Sequence, residues 1–340
     1  MDIKYIIKEA RYYAKLNGFS RAFKKFLLTQ TPLRKIVNTP LYNRIYLAKI
    51  RKKAGKLQPK ILQIENTNLC NAKCIMCPHV IMKRKGKIMK FGEFKKILDN
   101  VMKNYDFKRL TISGFGEPFV DKNIIEKIAY ANEKYPKLKV DVYTNASLIT
   151  KEITDRLLGT NIDRITFSIN GTKKNYKKIM ALDYRNTKKN VLYLLKEKKR
   201  RKHKVLTNMS LMILKENERD VKDFIDFWSA LADSVRVYAP SDWAGSVRNI
   251  EKKVLFKGKR WPCTGLWNNI TVDVKGNVIM CCRDYESKVK FGNLLKEDIK
   301  KIRNSEKFKE LLERQLKFDF SDAICRNCDN SFDSSLDWIC

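Results

Sequence analysis

From residue 60 to about 240 the chain repeats one unit, a short apolar run followed by an amphipathic stretch of helical length. The apolar runs fall at 61–64, 110–113, 140–144, 165–169, 206–214 and 234–238, and helical spacing fills 91–105, 124–134 and 220–231 between them. Strands alternating with helices pair in parallel through right-handed crossovers, which leaves few architectures. Six units predict an α/β fold, a partial (β/α)6 barrel of TIM type that stops short of closure. In such a barrel the chemistry gathers where the strands end.

The flanks differ from this core. Beyond residue 255, segments 270–274 and 277–280 read as a β-hairpin turning at Lys275-Gly276, and an amphipathic helix at 305–316 precedes the last cysteines. The expected division is a basic extension over 1–59, the barrel over 60–255 and a small C-terminal domain over 256–340.

Charge is strongly one-sided: 72 Lys and Arg against 37 acids, a formal +35. Such a balance attracts RNA, anionic lipid or phosphorylated substrates, or is carried as solvated surface along the chain. Residues 1–60 hold 16 basic residues and two acids, and Lys196 to Lys204 is basic at seven of nine positions. Ile3, Ile6, Ala10, Tyr13 and Leu16 lie at helical spacing, Pro32 and Pro40 break the pattern, and a second basic stretch runs over 42–56. This extension either packs on the barrel or touches an anionic membrane surface through residues 1–56. No aromatic-basic signature of RNA binding accompanies the charge, so nucleic acid ranks last among the partners.

The N-terminus lacks the apolar core of a signal peptide, and no uncharged stretch approaches the length of a membrane span. The expected location is a reducing cytoplasm, with the inner membrane face as a peripheral option. There the nine cysteines read as metal ligands before disulfides.

Three cysteines cluster after the first strand as Cys70-x3-Cys74-x2-Cys77-Pro78. Three close thiolates can hold three irons of a four-iron cluster and leave the fourth iron open to chemistry. A zinc site completed by His79 is the local competitor. Farther on, Cys263, one of the adjacent Cys281 and Cys282, and Cys325-x2-Cys328 offer four thiolates, which suit a cluster and a zinc ribbon equally.

The Cys70, Cys74, Cys77 spacing closely resembles the signature of the radical S-adenosylmethionine (SAM) superfamily. The resemblance implies a [4Fe-4S] cluster whose open iron binds SAM, and a substrate hydrogen abstracted by the radical made from it. It also implies a reduced electron donor of ferredoxin or flavodoxin type. That family usually has an aromatic residue before the third cysteine, where this chain has Met76.

Further motifs extend the likeness. Ser113-Gly114-Phe115-Gly116-Glu117-Pro118 looks like the family's Gly-Gly-Glu-Pro segment, which implies SAM contacts from Gly114, Gly116 and Glu117. Asn145 of Tyr143-Thr144-Asn145 and Ser168 and Asn170 of Ser168-Ile169-Asn170-Gly171 match further SAM-contact positions, with Asn170 where relatives often carry Asp.

The C-terminal cysteines resemble the SPASM and twitch auxiliary-cluster domains. This implies a second [4Fe-4S] cluster on Cys263, Cys281, Cys325 and Cys328, with Cys282 as the alternative to Cys281. The single-cluster form is similar to a branch that oxidises an amino-cyclitol alcohol. The leading expectation is therefore net two-electron oxidation of a sugar, polyol or lipid-linked alcohol. Modification of a peptide or protein side chain, and of RNA, are the alternatives. No residue is singled out as the proton acceptor.

Overall fold

The computed structural model describes residues 12, 40–54, 56–239, 241–247 and 260–328. In chain order the barrel elements are α1 (Pro40–Ala54), β1 (Ile61–Ile64), α2 (Phe91–Asn104), β2 (Arg109–Ile112), α3 (Ile124–Lys134), β3 (Lys139–Thr144), α4 (Lys151–Leu157) and β4 (Arg164–Ser168). They continue with α5 (Lys173–Met180), α6 (Tyr184–Arg200), β5 (Leu206–Met212), α7 (Val221–Ser229) and β6 (Ser234–Tyr238). The C-terminal part adds α8 (Gly265–Asn268), β7 (Asn269–Val272), β8 (Asn277–Ile279), β9 (Lys290–Asn293), α9 (Ile299–Arg303) and α10 (Glu306–Leu316).

All six expected barrel strands form and pair in parallel, in the order β6-β5-β4-β3-β2-β1. One side of the sheet is apolar: Leu62, Ile64, Leu110, Ile112, Val140, Val142, Ile165 and Phe167 are fully buried in one cluster with Phe94, Ile97, Ile128 and Leu194 of the helices. The alternate positions, Gln63, Thr111, Asp141, Thr166 and Asn208, are polar and share the opposite face. A polar inner face suits a barrel that holds ligands and water.

The expected hairpin forms as β7 and β8, with Gly276 at φ +81° in its turn. Its placement was not legible. Strand β7 pairs in parallel with β1, Ile61 to Asn269 through Ile64 to Val272, so one nine-stranded sheet runs β6 to β1 and on through β7, β8 and β9. Without β7, β1 would present an open edge.

Helix α1 is described from Pro40, and a proline suits the first helical position, which needs no N–H. Ile50 and Ala54 of α1 are buried against Trp261, Leu266, Trp267, Met280, Leu311 and Cys325, while Arg44, Lys49, Arg51 and Lys52 are exposed. The 40–54 part of the extension thus covers the C-terminal cysteines. Of the earlier residues Tyr12 is described; it is buried, with the Arg236 guanidinium carbon 5.1 Å from its ring centre. The rest of the helical spacing read over residues 3–16, and Cys340, lie outside the described residues. No helix among the described residues is long and apolar enough to cross a membrane.

Candidate active site

The loop leaving β1 carries the first three cysteines and is closed by its own asparagine. Buried Asn68 donates its side-chain N–H to the Arg84 carbonyl and accepts the Lys87 N–H at 2.7 Å, tying residue 68 to the loop's far end. His79, the residue considered for zinc, has Nε2 3.1 Å from the Asn68 carbonyl. The middle of the loop docks on the end of α5, where Lys73 N–H meets Met180 O and Ile75 N–H meets Ile179 O.

Cys70, Cys74 and Cys77 line one cavity at the C-terminal ends of the strands. All six other expected cofactor contacts line it too: Gly114, Gly116, Glu117, Asn145, Ser168 and Asn170. Residues up to 100 positions apart in sequence therefore share one wall.

Their side chains do more within the protein than sequence reasoning anticipated. A Cβ on Gly116 would sit 2.5 Å from the Leu69 carbonyl oxygen and collide with that of Thr67. The glycine thus lets the β2 loop approach the cysteine loop. A Cβ on Gly114 would likewise strike the Glu65 side chain. The Glu117 carboxylate accepts the Thr144 hydroxyl at 2.7 Å, the Asn145 N–H at 2.7 Å and the Phe119 N–H at 3.2 Å. A carboxylate has about four acceptor sites, so one stays open toward the cavity. Asn145 donates to Asn71 Oδ1 at 3.0 Å and accepts from Ser147, and Asn170 Oδ1 accepts the Met212 N–H at 2.8 Å. These two asparagines lock loop ends together while facing the same cavity.

Burial shapes the electrostatics. It pushes the Cys70 thiol up to about 11, and raises Cys74 further, with the neighbouring Cys77 and Cys70 thiolates adding to the effect. Cys77 is raised by burial as well. Burial also lifts the Glu117 carboxyl to about 7, against the pull of its three hydrogen-bond donors. Thiols raised in this way become thiolates once a cation meets them, and soft thiolates suit iron–sulfur clusters. The residues present fit such a group. Among the described residues no three His, Cys, Asp or Glu side chains converge closely enough to hold a single metal ion.

Two residues of this site were missed from sequence. Glu65, at the end of β1, is buried and bonds Arg84 through both oxygens (2.5 and 3.0 Å), the Phe115 N–H at 3.2 Å and the Val274 N–H at 3.0 Å. One carboxylate therefore ties the cysteine loop, the glycine loop and the β7–β8 hairpin. Trp243, in the loop after β6, lines the cavity and donates its indole N–H to Met76 O at 3.0 Å. Its ring meets Phe115 edge-on at 5.5 Å, and the Arg283 guanidinium lies 4.9 Å from its centre. An aromatic ring absent at position 76 thus reaches the same wall from 167 residues away. Nothing in the local sequence around Trp243 marks it.

The C-terminal cysteines also come together. Cys325 is buried in the cluster of Trp261, Trp267 and Met280, with Cys263 and Cys281 packed against it, whereas Cys282 is exposed. Burial raises Cys263 to about 11, with Cys328 and Cys282 contributing; burial raises Cys325 to about 12, with Asp322, Cys263 and Cys328 contributing. Cys281 is raised by burial, then by Cys282, Cys263 and Cys328. Fully buried Gln315 of α10 joins two of the four: it accepts the Cys263 N–H at 3.1 Å and donates to Cys325 Sγ at 3.5 Å. This bridge too escaped sequence reading. The eight described cysteines form no disulfides.

A parallel partial barrel with a thiol-lined cavity at its C-terminal strand ends is the architecture of an enzyme that works through a bound cofactor. Comparison with known proteins defines it further. The Radical SAM superfamily model matches residues 64–227, and that of an iron–sulfur cluster-binding domain, SPASM, matches residues 263–329. The chain is 23% identical over 274 residues to the S-adenosyl-L-methionine-dependent 2-deoxy-scyllo-inosamine dehydrogenase of Niallia circulans, covering 79% of this chain and 92% of that protein. A cofactor-modifying protein for the tungsten-containing aldehyde ferredoxin oxidoreductase of Pyrococcus furiosus is 28% identical over 110 residues, 32% of this chain and 30% of that one. Among solved structures, BtrN in complex with AdoMet and 2-DOIA superposes with a TM-score of 0.55 at 18% identity (79% of this chain, 92% of that). Streptococcus suis SuiB bound to its precursor peptide SuiA superposes at 0.64 and 17% identity (95% and 85%). These likenesses show the shared fold. The chain belongs to the radical SAM superfamily, in its SPASM-type branch, and is an enzyme whose cofactors are a [4Fe-4S] cluster, SAM and an auxiliary iron–sulfur cluster.

Proposed function

We propose that Cys70, Cys74 and Cys77 hold the SAM-binding cluster, that Cys263, Cys281, Cys325 and Cys328 hold the auxiliary one, and that the enzyme carries out a net two-electron oxidation of a sugar, polyol or lipid-linked alcohol. The observation that carries this reading is the single cavity lined by three cysteines, six expected SAM contacts and Trp243. When bound, the cluster and SAM supply a radical able to take hydrogen from an unactivated C–H bond.

The chain's own residues position and enclose that chemistry. Gly114 and Gly116 give close backbone approach, and Glu117 offers its remaining acceptor site to an ammonium group. Ser113 and Tyr143, which line the same cavity, offer hydroxyls to substrate hydroxyls. Oxidation needs a second electron acceptor near the cavity. The Arg283 amide donates to Cys281 Sγ at 3.4 Å while its guanidinium lies over Trp243, which supports the C-terminal cysteines in that role. Preference for Cys281 over Cys282 rests on their burial. A ferredoxin- or flavodoxin-type donor supplies the priming electron, and residues 1–56 remain a candidate contact with anionic membrane.

The test is anaerobic turnover of the reconstituted enzyme with amino-cyclitols, sugars and their lipid-linked forms. A carbonyl product made in proportion to SAM cleaved is expected. Cleavage coupled only to added peptide would replace the alcohol reading with side-chain modification.

A further inference from the structure

A second cavity opens at the opposite end of the barrel, where the strands begin. It is lined by Arg109, Lys139, Arg164, Lys198, Lys202 and Lys204, six cationic side chains, with Asp163 and Asp233 as its carboxylates and His203 also in the lining. The basic run read over 196–204 supplies one wall, and the first residues of β2, β3 and β4 supply the other.

The carboxylates there are already committed. Asp233 pairs with Lys198 and accepts the Thr207 N–H at 2.7 Å, and Asp163 accepts the Val140 N–H at 2.8 Å. Fully buried Asp141, behind the wall, pairs with both Arg109 and Arg164. Lys139, Lys202 and Lys204 are exposed and form no ion pair among the described residues, and Arg164 keeps its Nε buried without an acceptor there.

Stability does not account for this arrangement. Cations on the last turn of α6 interact well with its carbonyl end, which explains Lys198 but not the strand starts. Arg109 and Lys139 are direct partners in the β2–β3 register, and like charges placed so repel. A concave array of unneutralised lysines around planar guanidinium groups is what a phosphate group recognises.

We propose that this cavity binds a phosphate-bearing small molecule carrying at least two negative charges, at a site separate from the one that does the chemistry. Its concave shape favours a compact ligand over a nucleic-acid strand.

The experiment is titration calorimetry of the full-length protein with inorganic pyrophosphate at near-physiological salt. Two triple variants of equal charge change are compared: K139E/K202E/K204E in the cavity, and K122E/K296E/K309E at exposed lysines that do not line it. Single K202E guards against misfolding of the triple variant. One saturable site in the native protein is expected, weakened about tenfold or more by the cavity variant and markedly by K202E, and little changed by the control. No saturable binding, or equal loss in both triple variants, would overturn the proposal by reducing the cavity to general positive charge. Tight RNA binding that pyrophosphate does not displace, lost in the cavity variant, would overturn it in favour of a nucleic-acid partner.

Discussion

The Glu117 amide donates to the Leu69 carbonyl at 2.8 Å, one residue before Cys70, and so bolts the glycine loop of β2 to the cysteine loop of β1. Gly116 makes this approach feasible, since any Cβ there would meet two backbone carbonyls. Gly116→Ala should therefore push the two loops apart. The expected result is loss of about four irons per chain, with the auxiliary cluster retained, read by iron analysis and electron paramagnetic resonance.

Gln315 makes the corresponding link among the C-terminal cysteines. Gln315→Leu keeps the volume but removes both bonds, leaving the Cys263 N–H buried without its acceptor. A cost of about 1–3 kcal/mol is expected, together with an altered midpoint potential of the auxiliary cluster and an unchanged signal from the SAM-binding one.

Behind the glycine loop, Lys127 and Asp121 form an ion pair at 2.6 Å with both side chains out of solvent. Lys127 also donates to Met89 O, and Asn66 donates to Asp121, so the pair anchors both loops that flank the cavity. Lys127→Met would strand a buried carboxylate at a cost of about 3–5 kcal/mol in denaturant unfolding. The double variant K127M/D121N should recover much of that loss. A double variant as unstable as the single one would contradict this account.

Asp99 gives a pH signature. Burial raises its pKa, but hydrogen bonds from Lys134, Tyr135 and Tyr130 outweigh this and hold it below the usual carboxylate value. A lowered folded-state pKa means that the unfolded chain binds the proton more readily. The resulting stability is present above about pH 4 and is lost as pH falls through the folded value. Asp99→Asn should lower stability near pH 7 by roughly 0.5–1 kcal/mol, a small figure because the group is partly exposed, and the difference should fade below about pH 4. Unfolding curves at the two pH values check the sign.

How far the sequence reveals all this depends on the range of each interaction. The strands, the cysteine spacing and the glycine motif are local patterns, and the expected strands lie within two residues of their predicted bounds. The pairing of β7 with β1 joins residues about two hundred positions apart and leaves no periodicity to read. Glu65 gives no warning in sequence that it will bind Arg84, Phe115 and Val274 together. Asn145 and Asn170 are legible only as residues just past the ends of β3 and β4; the loop ends that engage their side chains emerge only on folding. Trp243 is reached through a turn in which Trp243, Ala244 and Gly245 all have positive φ, a conformation that two of the three residue types do not advertise.

The most direct test of the central claim is iron and sulfide content after anaerobic reconstitution, paired with reductant-driven SAM cleavage, in the native chain and in Cys74→Ala. About eight irons per chain and 5′-deoxyadenosine formation are predicted for the native protein, with about four irons and no cleavage for the variant. SAM cleavage by Cys74→Ala, or a native protein that takes up zinc and no iron, would contradict the assignment of the barrel cavity as the radical SAM site.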